Sequence, residues 1–174
     1  MRPMMSALSV CVLLGGTYAA PARAVTQIKG YAYPPGDACQ LSIPTTDTKV
    51  RPRANGYRNE GTTSQFVICS MGGYEAGTVL SMLLNYTSTD GAIHSMTCTG
   101  VTGMTGWSPV HFSSKTVSVP SSGLGFQEWR AEDFGGPADT PIADGGLNLS
   151  VTCILPPGVA VQGFDSTNLI DVGQ

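Results

Sequence analysis

The alternation of apolar and polar positions is sharpest near the C-terminus. Leu147, Leu149, Val151, Cys153 and Leu155 share one face, and Asn148, Ser150, Thr152 and Ile154 the other. Strict alternation of this length predicts a half-buried strand in an antiparallel sheet. Phe66 to Met71 is rich in β-formers, puts Cys69 on a face with Val67 and Met71, and stops at Gly72-Gly73. In Thr78 to Thr87, Leu80, Met82, Leu84 and Tyr86 oppose Val79, Ser81 and Leu83. So short an apolar run also fits a buried helix. Asp90-Gly91 follows as a hairpin-turn signal, and Ile93 to Val101 resumes the pattern with Met96 and Cys98 in phase. The two segments therefore read as a hairpin of strands.

Elsewhere the pattern is more broken. Ile28 to Tyr33 predicts a first strand, ended by Pro34-Pro35-Gly36-Asp37. Residues 40–64, interrupted by Pro44 and Pro52, read as a long connection with one or two short strands. Gly100, Gly103 and Gly106 open a looser region up to Pro109, and Lys115 to Val119 is a strand ended by Pro120. Gly125 to Ala131 sets Gln127, Trp129 and Ala131 against Phe126, Glu128 and Arg130. Residues 132–146 are acidic and turn-rich, and Val159 to Phe164 is a last strand before an acidic tail. About seven short strands without an amphipathic helix predict an all-β fold, an antiparallel β-sandwich of the jelly-roll kind.

The N-terminus changes that picture. Arg2, the apolar stretch Ala7 to Leu14 and the small-residue site Ala22-Arg23-Ala24 form a secretory signal peptide over residues 1–24. The stretch is too short to span a bilayer. Val10 before Cys11 argues against lipidation. The expected product is a single domain over residues 25–174, periplasmic or extracellular, with no transmembrane anchor. Loss of Arg2 and Arg23 leaves seven basic residues against twelve acidic ones. From residue 75 onward only Lys115 and Arg130 oppose nine acids. So few cations exclude nucleic acid as a partner, because phosphate neutralisation carries most of that affinity.

Export also decides the cysteines. Cys39, Cys69, Cys98 and Cys153 remain, an even number in an oxidising compartment, which implies disulfides. Three pairings are open. Cys39–Cys69 with Cys98–Cys153 is favoured, since the first closes a loop in the N-terminal half and the second joins two strands with inward cysteines. There is no C-x-x-C pair, and His94 and His111 lack ligand spacing, which argues against zinc.

The segment Ser150-Val151-Thr152-Cys153-Ile154-Leu155-Pro156-Pro157-Gly158 resembles the ending of small exported bacterial β-rich proteins of uncharacterised function, and Gly56 to Asn59 and Phe66 to Cys69 add to the likeness. The resemblance implies an exported β-fold and brings no activity or site residues.

Catalytic signals are sparse. No G-x-S-x-G elbow is present. His94 falls in phase with a strand, and His111 lies in an expected loop with no acid placed near it. Glu128, Glu132 and Asp133 flank Trp129, a glycosidase-like grouping only if the strand runs on. Asp133, Asp139 and Asp144 offer oxygen ligands for calcium without an EF-hand spacing. No cofactor is expected. The sequons at Asn85 and Asn148 fall on expected strands and are discounted. Lys49, Arg51 and Arg53 read as a solvated edge. Trp107, Trp129, Tyr57 and Tyr74 are candidate stacking surfaces for a glycan. The leading expectation is a non-catalytic exported sandwich that binds a glycan or an envelope protein, or serves structurally. The alternatives are a subunit joined by strand addition through Val25 to Pro35, and a small hydrolase.

Overall fold

The computed structural model describes residues 25–42, 49–71, 78–144 and 148–173. The expected leader and Tyr74 lie outside them. Eleven strands run through the described residues: β1 (Thr26–Tyr33), β2 (Cys39–Leu41), β3 (Val50–Arg53), β4 (Gly56–Asn59), β5 (Gln65–Met71), β6 (Val79–Ser88), β7 (His94–Thr102), β8 (His111–Val119), β9 (Gly125–Arg130), β10 (Leu149–Leu155) and β11 (Val159–Asp171). A four-residue helix, α1 (Pro35–Ala38), and a 3-10 turn at Ala131–Phe134 complete them.

The strands form two antiparallel sheets, as the alternation predicted. Sheet A has the order β3-β4-β11-β6-β9, with β1 also on β11. Sheet B has the order β2-β5-β10-β7-β8. β11 organises sheet A. β6 pairs along one of its edges; the other is shared by β4, at Ala160 and Val161, and β1, from Phe164 to Asp171.

The inner faces meet in one apolar core. Met82, Leu84, Tyr86, Trp129 and Phe164 come from sheet A, and Val67, Met96, Val151 and Leu155 from sheet B. Trp129 is fully buried, and its indole N–H donates to the Ser113 carbonyl at 3.0 Å. Gly100 of β7 makes room for it. A Cβ there would sit 2.7 Å from Met82 Cε and 2.8 Å from Trp129 Cδ1.

Both disulfides lie inside sheet B. Cys39–Cys69 joins β2 to β5 and Cys98–Cys153 joins β7 to β10, each between directly paired residues. The four cysteines are buried, so the bridges thicken the core instead of crossing between sheets.

Three expectations about the elements are corrected. The segments flanking Asp90-Gly91 form strands but no hairpin: β6 belongs to sheet A and β7 to sheet B. The turn, with Gly91 at φ 78°, carries the chain across the core. Turn residues specify a reversal and leave the hydrogen-bonding partner open. Residues 40–64 hold two short strands, β3 and β4, as expected, and β2 begins just before them at Cys39. His111 opens β8 and is not in a loop. The polar tail from Asp165 to Asp171 continues β11, because β1 pairs with its whole length.

A bulge adjusts β6. Asn168 pairs with Val79 and Thr167 with Ser81, so Leu80 has no partner across the ladder. An extra residue flips the phase of the side chains before it. Val79 thus enters the core, and Leu80 turns toward the outer face.

Candidate functional site

The outer face of sheet A carries two adjacent clefts. Directly opposed residues of an antiparallel sheet point to the same side, so the register defines rows across the strands. One row is Gly30, Thr167, Ser81 and Arg130, from β1, β11, β6 and β9. The next is Ala32, Asp165, Leu83 and Glu128. The third holds Gly163, Asn85 and Phe126.

The larger cleft, about 370 Å³, lies over the first row. Ile28, Leu80 and Leu169 give it apolar walls. Glu128, Arg130, Glu132, Asp139 and Thr140 line the other side. The 3-10 turn after β9 brings Glu132 there: the strand ends at Arg130, and the turn keeps both glutamates at the cleft. Arg130 Nε donates to Glu128 Oε2 at 3.0 Å. That hydrogen bond, then the charge of Glu128 and of more distant Glu132 and Asp139, raises the guanidinium pKa further above its ordinary value.

The second cleft, about 350 Å³, lies toward the third row. Ala32, Tyr33, Pro34, Leu124, Gln162 and Asp165 line it. The Asn85 amide donates to the Asp165 carboxylate, fixing both side chains. Phe126, 67% exposed, and Leu124, 60% exposed, stand beside this region. Large apolar side chains held open on a sheet face mark a contact surface more often than a lone exposed leucine does. Phe126 is not among the residues expected to bind ligand. Its signal is nonetheless in the sequence, since it opposes Trp129 in the alternation and must face outward once Trp129 faces in.

The residues expected to bind ligand divide. Trp129 and Tyr57 are buried in the core, which leaves no ring face for a sugar. Both have the apolar bulk that core packing demands. Trp107 is 82% exposed on the loop between β7 and β8. Its backbone N–H and that of Ser108 both donate to the Met104 carbonyl, and the Ser108 hydroxyl accepts from Met104 N–H. The loop therefore presents the indole from a closed turn.

The candidate calcium ligands do not converge. Among the described residues no three His, Cys, Asp or Glu side chains group as a metal site. Asp133 pairs with Lys115 Nζ at 2.8 Å and accepts from the Arg130 backbone N–H. Asp139 lines the larger cleft, and Asp144 lies 3.8 Å from His111 Nε2.

His94 does meet an acid. Its Nε2 lies 2.9 Å from Asp90 Oδ1, which also accepts from the Ser88 hydroxyl at 2.9 Å. The carboxylate is the hub of this cluster. A nucleophilic triad instead needs the imidazole between serine and acid, so that the ring takes the hydroxyl proton. Here the hydrogen bonds from His94, the Ala92 N–H and Ser88 hold the Asp90 carboxyl down at about 2. The arrangement fastens the β6–β7 crossing.

No protein-family model matches the chain, and no curated protein matches it significantly. Solved structures resemble it in fold. TmCBM61, in complex with β-1,4-galactotriose, is 10% identical over 84% of this chain and 88% of that one, with a TM-score of 0.39. A family 11 carbohydrate-binding module from Clostridium thermocellum, in complex with a β-1,3-1,4-mixed-linked tetrasaccharide, is 15% identical over 83% of this chain and 88% of that one, with a TM-score of 0.38. A CBM4 structure is 13% identical, with a TM-score of 0.32 over 83% of this chain and 86% of that one. At these TM-scores the likenesses carry no functional argument.

Proposed function

We propose that this chain is an exported, non-catalytic binding module that holds a glycan across the outer face of sheet A. One observation carries the reading: two clefts lie on the outer face of sheet A, one over β1, β11, β6 and β9 and the other over β1, β11 and β6, with apolar walls, hydrogen-bonded polar side chains and an exposed Phe126. Sugars present apolar ring faces edged by hydroxyls. Sites for small ligands likewise pair apolar lining with a few placed polar groups. Asp165, Asn85 and Arg130 supply donors and acceptors already oriented by neighbours, which lowers the ordering cost of binding, and Gln162 lines the second cleft beside them. Two buried disulfides fit an oxidising compartment. Among the described residues no helix is long and apolar enough to cross a membrane.

The test is affinity electrophoresis and calorimetry of the chain from Val25 against a panel of neutral and charged polysaccharides. Retention by at least one polysaccharide is expected. Phe126→Ala and Asp165→Ala should each weaken binding at least tenfold with the melting temperature unchanged. No retention on any polysaccharide, or retention indifferent to both variants, refutes the groove. Turnover of a bound glycan that disappears in Glu128→Gln refutes the non-catalytic part, since Glu128 and Glu132 line one cleft.

A further inference from the structure

We propose that β1 is an exchangeable arm, able to leave its own β11 and pair with β11 of a second copy of this chain. Four observations converge on it. β1 is bound as an eight-residue ladder to β11, yet six of its eight residues are exposed. None of its residues belongs to the buried core, and only Tyr33 packs against its rim. Its hold is therefore mainly backbone hydrogen bonding, which a second copy reproduces bond for bond.

The hinge is well defined. Pro34 and Pro35 follow the strand directly, and Pro34 is extended at φ −57° and ψ 133°. Pro35 opens α1, so the joint between arm and body is a single extended proline backed by a proline at a helix start, both with φ restricted by their rings. Behind it, Ala38 is buried and Cys39 is bonded to Cys69 of β5. The disulfide stops any detachment at that point, so the body keeps its fold while the arm moves. Exchange of an identical element is a low-cost route to a dimer.

The occupant of the vacated edge follows from the structure. The register Thr26↔Asp171 to Tyr33↔Phe164 shows which segment fits there, and any second copy carries the same segment. β11 otherwise presents Ser166 and Asn168, buried and hydrogen-bonded to each other, along that edge. Exchange also reaches the groove. Ile28 lines the larger cleft, and Ala32 and Tyr33 line the second. In an exchanged dimer each groove is built from two chains, a consequence that rests on the binding reading above; the exchange itself does not.

The experiment uses two chains, each with one added thiol: Gly30→Cys on the arm and Thr167→Cys on β11, which are direct partners. Position 30 has room, since a Cβ there has its nearest neighbour at 3.9 Å. The chains are mixed, incubated at rising concentration, and treated with a short bis-maleimide. A covalent heterodimer that accumulates with concentration and is suppressed by a free peptide of residues 25–33 is the expected result. Hydrogen exchange should show β1 amides opening at least a hundredfold faster than those of β10. Monomer alone at every concentration, or heterodimer indifferent to the peptide, overturns the proposal. So does β1 protection equal to that of β10. None of these readouts needs a glycan, so a failure of the binding reading leaves this test intact.

Discussion

Trp129 shows how one side chain sets the positions of its neighbours. Its indole lies between the sheets, bonded to Ser113, with Gly100 beneath it and Lys115 Nζ 5.7 Å from the ring centroid. Lys115 also donates to the Glu128 carbonyl and to Asp133, both at 2.8 Å. The edge of β8 is thereby tied to β9 and to the turn that follows it. Trp129→Ala should cost about 3–5 kcal/mol, the usual loss for a large buried aromatic. Gly100→Ala should cost about 1–3 kcal/mol by overpacking the same space from the opposite sheet. Urea unfolding of the two single variants and the double variant measures both. Because the residues touch, the losses should not add. A Gly100→Ala variant as stable as the parent would show that Met82 and Trp129 can shift. The sequence carried half of this: alternation set Trp129 against Phe126 but named no neighbour for either. Gly100 looked like a loop residue because its use depends on a contact from the other sheet.

At the scale of elements, the edge pair β3–β4 is held by charge. Glu60 takes ion pairs from Arg53 and Arg51, and the Arg53 hydrogen bond, with that of Arg51 and both cationic charges, brings its carboxyl from 4.5 down to about 2. Asp90 is likewise held near 2 by His94, Ala92 and Ser88, against an ordinary 3.8. In both, the folded chain binds protons less readily than the unfolded one. Their stabilisation is present in full above the unfolded values and is lost as pH falls through the range down to about 2. The melting temperature should therefore drop between roughly pH 4.5 and 2. Glu60→Gln and Asp90→Asn should each flatten part of that slope. A slope unchanged in both variants would assign acid sensitivity to other groups. Added salt should blunt the Glu60 share, as these side chains are open to solvent. The sequence read Lys49, Arg51 and Arg53 as a solvated edge, and β3 is the end strand of sheet A. It did not foresee Glu60 as their partner, because that pairing exists only once β4 turns back on β3. The outer groove was illegible for the same reason: Ile28, Leu80, Thr167 and Glu128 are distant in the chain and meet through register. The Leu80 bulge, which a count of alternating residues cannot reveal, decides which of them face it.

For the whole molecule, covalent reinforcement is one-sided. Sheet B holds both disulfides and sheet A none. The favoured pairing follows from two strands with inward cysteines, but not its confinement to one sheet. Replacing Cys98 and Cys153 by Ala should cost about 2–5 kcal/mol, read from thermal unfolding. Loss of this bridge, with a sequence separation of 55, should exceed loss of Cys39–Cys69, separated by 30, if the unfolded chain's entropy dominates. The reverse order would show that packing around the sulfurs outweighs chain entropy.

The adjacency of Thr26 and Asp171, closed by the Val172 N–H donating to the Val25 carbonyl, also fixes how the chain would answer to force. Tension applied through residues 25 and 172 pulls apart two strands that leave the same end of one ladder. The load falls on one rung at a time, as in a zip, and never on all eight together. Tethered at both ends, this protein should give way at β1 under small forces, with sheet B and its bridges unloaded.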